Sequence, residues 1–522
     1  MNRNALLRRA DWRFLVGMPE PQRAYCPVPG PLRKAVQTVA ARLLDEPAPG
    51  ECDLVVLRHP GARRLKRACA ALAPGGALYV EWWHPVPGGG ATVRRRLEAA
   101  GLEQVACYWP WPPPRRRTPQ VWLPIETREA VSWFLDTRPR PRRRLTRVAV
   151  ATQRWLWRSL WRLGLLAPIC AAGRKPSSSA AAGDETLPVK RRAGGPGGSL
   201  PAILAAHHRA WGLDGTGDGA CCLLITAGQS PRNKLVALTF SSGRHEPQIA
   251  LKLPRVAEAE AGLEREASVL RAVHADGARD GIPRLVARAT IAGRVALAES
   301  VVTGRLLLDV LLPETHRPLS LKVTDFLADL AATPSPRRST AWREGVAEVA
   351  LQALSPPEQQ RARAILSRLG ALPEVCEQRD CSPWNVLAQR DGAIAMLDWE
   401  SAEQRGVPGL DLLYFLTYAA FFVDRTMHTG RELASYRRML TPSSSTGRVC
   451  AECTAAYAER VGLHPYALDP LRLLCWLVHA RSAQLREEGE TMGAPEDGLL
   501  FLELARDELA RQDRTGQGTR RP

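Results

Sequence analysis

The chain has 522 residues, 45% of them apolar and 24% charged, proportions of folded globular protein that exclude a collagen-like, mucin-like or wholly disordered chain. Its formal net charge of +19 lies in the first part alone: residues 1–200 carry 34 Lys and Arg against 14 Asp and Glu, whereas the remaining 38 and 39 cancel. Twelve cysteines without a framework of spacings exclude a disulfide scaffold and suit a reducing cytoplasm. The opening MNRNALLRRADWRFLVG has no apolar stretch of signal-peptide length. Asp53–Leu57 predicts a buried strand, Arg63–Leu72 a helix stopped at Pro74-Gly75-Gly76, and Ala77–Trp82 a second strand. A helix over Ala91–Ala100 ends at Gly101, a third strand spans Leu102–Trp109, and a late strand spans Ile169–Lys175. Strands alternating with short helices predict parallel βαβ units.

This order resembles the C-terminal half of class I methyltransferases, through Leu72-Ala73-Pro74-Gly75-Gly76, Ala100-Gly101-Leu102 and the late strand. The resemblance covers residues 53–176 and implies a truncated Rossmann-like parallel-sheet domain. Such enzymes place a glycine-rich turn after their first strand, so that backbone can approach the cofactor closely. The corresponding place is Arg13–Pro21, which has one glycine and no G-x-G. The module therefore reads as degenerate, without methyl transfer.

Ten of the 15 tryptophans also lie in this part. Trp109-Pro110-Trp111-Pro112, Arg115–Arg117, Arg138–Arg144 and Arg154–Arg162 interleave basic with aromatic residues. Such a stretch suits an anionic membrane surface or a solvated Arg face whose tryptophans pack inward. No recognised nucleic-acid module accompanies it, which argues against nucleic acid. Residues 177–199 are rich in Pro, Gly, Ser and Ala and predict a flexible linker. The run Leu412–Val423 is too short to span a bilayer and predicts a buried helix.

The chemistry-bearing pattern comes late. Gln378-Arg379-Asp380-Cys381-Ser382-Pro383-Trp384-Asn385 is followed, past a hairpin turn at Asp391-Gly392, by Leu397-Asp398-Trp399-Glu400. Phosphoryl transfer needs one carboxylate for the attacking hydroxyl's proton and hard oxygen ligands for Mg²⁺. D-x-x-x-x-N followed by a hairpin and a second Asp supplies those groups. Upstream, Ile249–Leu253 is an alternating strand carrying Lys252, and Ala261–Val273 a helix carrying Glu266, a better-placed partner than Glu264. Ile225–Lys234 lies between two strand-like runs. Gly215–Gly219 reads as a turn, Cys450-x-x-Cys453 as buried thiols and His207-His208 as a surface pair.

These elements resemble the aminoglycoside phosphotransferase and choline kinase family over residues 220–425. The resemblance implies a bilobal protein-kinase-like fold using ATP and Mg²⁺. Asp380 would be the catalytic base, Asn385 and Asp398 the metal ligands, and Asp411 a brace of the catalytic loop. Gly228, Ser230 and Asn233 would lie in a nucleotide-covering loop, with Lys252 and Glu266 as the phosphate-binding pair. Ala296–Gly304 would form the last strand and hinge of the smaller lobe. The family's His-Gly-Asp is Gln378-Arg379-Asp380 here. Gln378 can donate and accept hydrogen bonds in the histidine's place. Arg379 is strained if the position needs φ > 0, or must turn away if it must be small.

The expected fold class is α/β plus α+β, a truncated Rossmann-like domain followed by a bilobal kinase-like domain. The expected segments are a basic, Trp-rich module over 1–176, the linker 177–199, an N-lobe over 200–303, a C-lobe over 304–513 and a disordered tail over 514–522. The expected activity is ATP-dependent phosphorylation of a hydroxyl on a sugar-like or amino-alcohol acceptor, in cell-surface polysaccharide metabolism. The protein would be cytoplasmic and peripheral at the inner membrane face. A nucleotide-binding pseudokinase is the alternative.

Overall fold

The computed structural model describes residues 3–114, 118–137, 144–177, 199–207, 210–212, 221–226, 228, 230–241, 243–332, 337–488 and 496–518. The chain forms two compact units, residues 1–267 with 284–301, and residues 268–283 with 302–522. The linker core 178–198, the glycine turn 215–219, Arg115–Arg117 and residues 138–143 lie outside the described residues.

The first unit is built on one mixed sheet of twelve strands. In chain order these are β1 (Arg23–Tyr25), β2 (Arg42–Leu44), β3 (Cys52–Arg58), β4 (Leu72–Trp82), β5 (Glu103–Trp111), β6 (Val121–Pro124), β7 (Ile169–Arg174), β8 (Cys221–Ile225), β9 (Leu235–Phe240), β10 (Ile249–Leu253), β11 (Leu285–Ile291) and β12 (Arg294–Ser300). Their spatial order is β11-β12-β10-β9-β8-β6-β5-β7-β4-β3-β1-β2. The end β2-β1-β3-β4 is parallel, and every other pairing is antiparallel. Both faces are covered, which is why β3 and β4 read as near-continuous apolar runs. Leu54, Val56, Tyr79, Leu224 and Leu251 pack into one core, and Val55, Leu57, Val80, Leu223 and Phe240 into the other.

Residues 1–176 and 221–300 thus share a single sheet, joined where β6 pairs with β8 through Val121–Ile225 and Trp122–Leu224. The pairing gives each set of strands a partner in place of an open edge. At Arg13–Pro21, the place corresponding to the glycine-rich turn, no strand precedes among the described residues: Asp11–Phe14 is a 3₁₀ turn, and the sheet begins at β1. Trp12, Leu15 and Val16 are buried as a strand's residues would be, and a short apolar run does not distinguish the two conformations. Beyond β1 runs Cys26-Pro27-Val28-Pro29-Gly30, which also lacks a G-x-G, before a helix opens at Pro31.

Most of the described tryptophans of the basic stretch pack inward. Trp157 meets Trp109 at 5.4 Å and Trp111 at 4.5 Å, and Trp161 Nε1 donates to Ile125 O at 2.6 Å. Trp155, Leu156, Leu163 and Leu165 stay exposed. His207 stacks on Trp211, and His208 lies outside the described residues.

The second unit is mainly helical, around Pro313–Ala331, Leu410–Asp424, Ser445–Val461, Leu468–Glu488 and Glu496–Gly518. The helix Leu410–Asp424 is buried from Leu410 through Phe421. Among the described residues no helix is long and apolar enough to cross a membrane. Cys450 and Cys453 are buried, and burial pushes their thiols up to about 11 and about 12. The last helix takes in the expected tail as far as Gly518, and residues 519–522 lie outside the described residues.

His316 gives this unit an acid sensitivity. Its ring is buried, and burial lowers its pKa to about 4. An unfolded chain protonates the same ring near pH 6.5. The stabilisation is therefore complete above that pH and falls as the pH drops towards 4. By pH 5 the loss from this ring is about 2 kcal/mol. The difference in urea unfolding between wild type and His316→Leu should carry that slope between pH 5 and 7.5, about one proton.

Candidate functional site

In the first unit, the alternation of Ile249-Ala250-Leu251-Lys252-Leu253 buries Ile249, Leu251 and Leu253 on one face and sets Lys252 on the other. Lys252 pairs in register with Leu297 of β12. Leu297 packs on Leu263 and Ala267 of the helix Glu260–Val273, which carries Glu266. Lys252 Nζ consequently lies 2.5 Å from Glu266 Oε1 and 2.7 Å from Glu299 Oε2. Lys234 Nζ reaches the other oxygen of Glu266 at 3.4 Å. Two ammonium groups and two carboxylates thus share one nearly dry site. Burial pushes the Glu299 carboxyl up, and the Lys252 ammonium pulls it back. Glu264 pairs instead with Arg288. Glu299 and Lys234 were not singled out from the sequence, although an acid inside the apolar run ALAES signals a buried partner.

The loop between β8 and β9 is tied to itself. Asn233 Oδ1 accepts from Ser230 N at 2.8 Å. Gly228 sits at φ 91°, where a Cβ would come within 2.5 Å of Asn233 Cγ. Glycine is therefore required for the asparagine to lie across the loop.

In the second unit, Asp411 at the start of the helix Leu410–Asp424 accepts from Gln378 N and Arg379 N, both at 2.7 Å. Gln378 Nε2 donates to Leu397 O at 3.0 Å and Asp398 O at 2.6 Å, while its Oε1 accepts from Asp380 N at 2.8 Å. One amide side chain thereby ties the loop to the residue after the hairpin. Asn385 Nδ2 donates to Asp380 Oδ2 at 2.8 Å. Leu397 N donates to Asn385 O at 2.8 Å, and the strands Val386–Ala388 and Ile394–Met396 pair in register. The chain reverses at Asp391-Gly392, with Gly392 at φ 82°. Asp380, Asn385 and Asp398 are so gathered by one loop and one hairpin.

Asp398 (φ 65°) and Arg379 (φ 66°) are both in the left-handed region. Strained non-glycine residues concentrate where surrounding contacts fix a functional geometry. Burial, together with the nearby Asp398 carboxylate, pushes Asp380 up to about 8, against the pull of Asn385. Two carboxylates, with the amide side chain of Asn385 bonded to one of them, offer hard oxygen atoms of the kind that suits a divalent cation such as Mg²⁺.

Arg379 stands where the resemblance leads one to expect glycine. Its φ costs about 1–2 kcal/mol relative to glycine. Its guanidinium lies 3.3 Å from the buried Glu377 carboxylate and 3.3 Å from Glu403. Glu377 also accepts from Val407 N. Burial pushes Glu377 up, and Arg379 pulls it back. Removing one partner of a buried pair costs about 3–5 kcal/mol, less when the other side chain is partly solvated. Arg379→Gly should therefore lower the unfolding free energy by about 1–3 kcal/mol despite the relieved strain. Urea denaturation of the two proteins checks this, and a gain in stability would mean that strain dominates.

Residues 222–440 match the sequence profile of the phosphotransferase enzyme family. No curated protein matches the chain. Among solved structures, the chain is similar to an aminoglycoside phosphotransferase from Streptomyces rimosus, at 16% identity and a TM-score of 0.29, over 45% of this chain and 89% of that one. A glucosamine kinase in complex with glucosamine, ADP and inorganic phosphate is similar at 16% identity and a TM-score of 0.36, over 60% and 84%. Phosphoethanolamine N-methyltransferase 2 of Haemonchus contortus is similar at 13% identity and a TM-score of 0.20, over 33% of this chain and 52% of that one.

Proposed function

We propose that this chain, whose residues 222–440 match the phosphotransferase enzyme family, is a small-molecule kinase that transfers the γ-phosphate of ATP to a hydroxyl. The observation that carries the reading is the network from Asp411 through Gln378 to Asp380 and Asn385, which fixes an acid and an amide 2.8 Å apart on one loop. Asp380 would take the proton of the attacking hydroxyl. Asn385 and Asp398 would hold Mg²⁺, which when bound neutralises phosphate charge. Gln378 and Asp411 keep the loop in shape. Lys252, oriented by Glu266 and Glu299, would balance the nucleotide phosphates, and Gly228, Ser230 and Asn233 would cover them. The acceptor class is a sugar-like or amino-alcohol hydroxyl in cell-surface polysaccharide metabolism.

A thermal shift with Mg-ATP and Mg-ADP, followed by a screen of acceptors for ADP release, tests the reading. Binding with turnover supports it. Binding without turnover for any acceptor leaves a pseudokinase, and no binding ends it.

The parallel end of the first sheet, β2-β1-β3-β4, followed by antiparallel β7 and β5, supports a Rossmann-like ancestry for residues 1–176. The lack of a glycine-rich turn after β1 speaks against methyl transfer there. We place the protein in the cytoplasm, peripheral at the inner membrane face. The exposed Trp155, Leu156, Leu163 and Leu165 and the net charge of +20 in residues 1–200 support docking on anionic lipid. Salt-sensitive co-sedimentation of the full chain with anionic but not neutral liposomes is expected, and its absence would end that part.

A further inference from the structure

Asp11 and Arg255 stand 244 positions apart in the chain, yet both side chains are fully buried against each other. Arg255 Nε donates to Asp11 Oδ1 at 3.1 Å, and Nη2 lies 3.1 Å from Oδ2 as a charge contact rather than a second hydrogen bond. The remaining donors of the same guanidinium point at the loop between β8 and β9. Nη1 donates to Ser230 O at 2.8 Å, and Nη2 to Thr226 O at 3.3 Å. Arg13, from the same 3₁₀ turn as Asp11, donates to Arg255 O at 2.8 Å. Arg255 follows Lys252 by three residues, just past the end of β10.

The Ser230 peptide is held on both sides, its N–H by Asn233 Oδ1 and its C=O by Arg255. A guanidinium presents its donors in a fixed planar fork, so it can span two carbonyls and a carboxylate where an ammonium cannot. Burying this charge is tolerable because Asp11 neutralises it. The carboxylate itself needs cations around it, since burial pushes Asp11 up while Arg255 and Arg13 pull it down.

We infer that Arg255 is a positioning residue for Thr226 and Ser230 in the connection between β8 and β9, and that the N-terminal part acts on them by supplying Asp11 to hold Arg255. The inference rests on the proposed kinase function for its consequence, that the loop is preset to receive nucleotide phosphates. In this account the first 176 residues are a working piece of the nucleotide site rather than an appendage.

The test uses the full chain and two readouts. Arg255→Lys keeps the charge and its pairing with Asp11 but loses the fork. Asp11→Asn keeps the shape and weakens the anchor. Glu20→Gln is the control, because Glu20 is exposed and pairs with Arg294 elsewhere in the same unit. Hydrogen exchange without nucleotide should rise at least fivefold in peptides covering 226–233 in both variants and stay unchanged in the control. The melting midpoint of Arg255→Lys should remain within a few degrees of wild type. Mg-ADP should bind about tenfold more weakly to both variants, about 1.4 kcal/mol. Arginine-like exchange and affinity in a folded Arg255→Lys would overturn the inference. If that variant does not fold, Asp11→Asn decides by the same two measurements. A wild-type chain that binds no nucleotide would remove the kinase reading, and the exchange comparison would still settle whether Arg255 holds the loop.

Discussion

Asp380→Asn is expected to leave the chain folded and able to bind nucleotide while lowering kcat by about 10²- to 10⁴-fold, the usual range for removing a general base. The substitution preserves shape, and an amide oxygen can still accept from Asn385 Nδ2, as Asp380 Oδ2 does at 2.8 Å. It removes a carboxyl whose ionisation burial and Asp398 both oppose. The melting midpoint should therefore stay level or rise as turnover falls. That opposition is informative, because a residue placed only for stability would lose both together. Kinetics with a responsive acceptor, set beside calorimetric unfolding, measure the two. Undiminished turnover in a folded variant would take the base assignment away from Asp380. Turnover absent from wild type as well would mark a nucleotide-binding protein whose loop keeps the geometry without the reaction.

What was legible in the sequence divides by the range of the interaction. The strand lysine at 252, the helix glutamate at 266 and the loop-and-hairpin trio at 380, 385 and 398 were all picked out, because each sits in a local pattern of fixed spacing. The structure brings Lys252 to Glu266 and Asp380 to Asn385. Gln378 was read as able to donate and accept, and it does both. The positive φ at Arg379 was raised as a condition, and it holds at 66°. Of its two carboxylate partners, Glu403 was not visible because it arrives from 24 positions away, and Glu377, two positions away, gave no local sign of the buried pair it forms. Glu299 was passed over because ALAES reads as the end of an apolar strand, although its diagonal place beside Leu297 puts it on the face of Lys252. Strands β1 and β2 were missed for a different reason. Each is three residues long and opens on arginine, too little for a period to show. The β6–β8 junction and the Asp11–Arg255 pair join segments about 100 and 244 positions apart. Pairings of that range leave no trace in local composition, so a sheet shared by both parts could not be read from a boundary drawn at a Pro/Gly-rich stretch.

The second large effect is expected at Asp411, whose carboxylate receives the peptide N–H groups of Gln378 and Arg379 at 2.7 Å each. Asp411→Ala strands two donors, one of them in a fully buried residue, at about 1–3 kcal/mol apiece. Against this, burial and then the like charge of Glu377 push Asp411 up, so its removal relieves some unfavourable charge. Two short bonds to a charged acceptor outweigh that relief, because hydrogen bonds to ionised groups contribute about 1.5–3 kcal/mol each. The net loss should be about 2–4 kcal/mol in urea unfolding at pH 7.5. Asp411→Asn retains one acceptor oxygen and should fall between alanine and wild type. The same bonds set the backbone of Gln378 and Arg379, and through Gln378 the N–H of Asp380. Turnover should therefore fall with stability, by at least tenfold in the alanine variant. In an Asp380→Asn background, however, Asp411→Ala should cost the same stability but little further turnover, since groups acting as one unit are not additive. Equal further loss of turnover in both backgrounds would mean that Asp411 serves the reaction by a route other than the loop that carries Asp380.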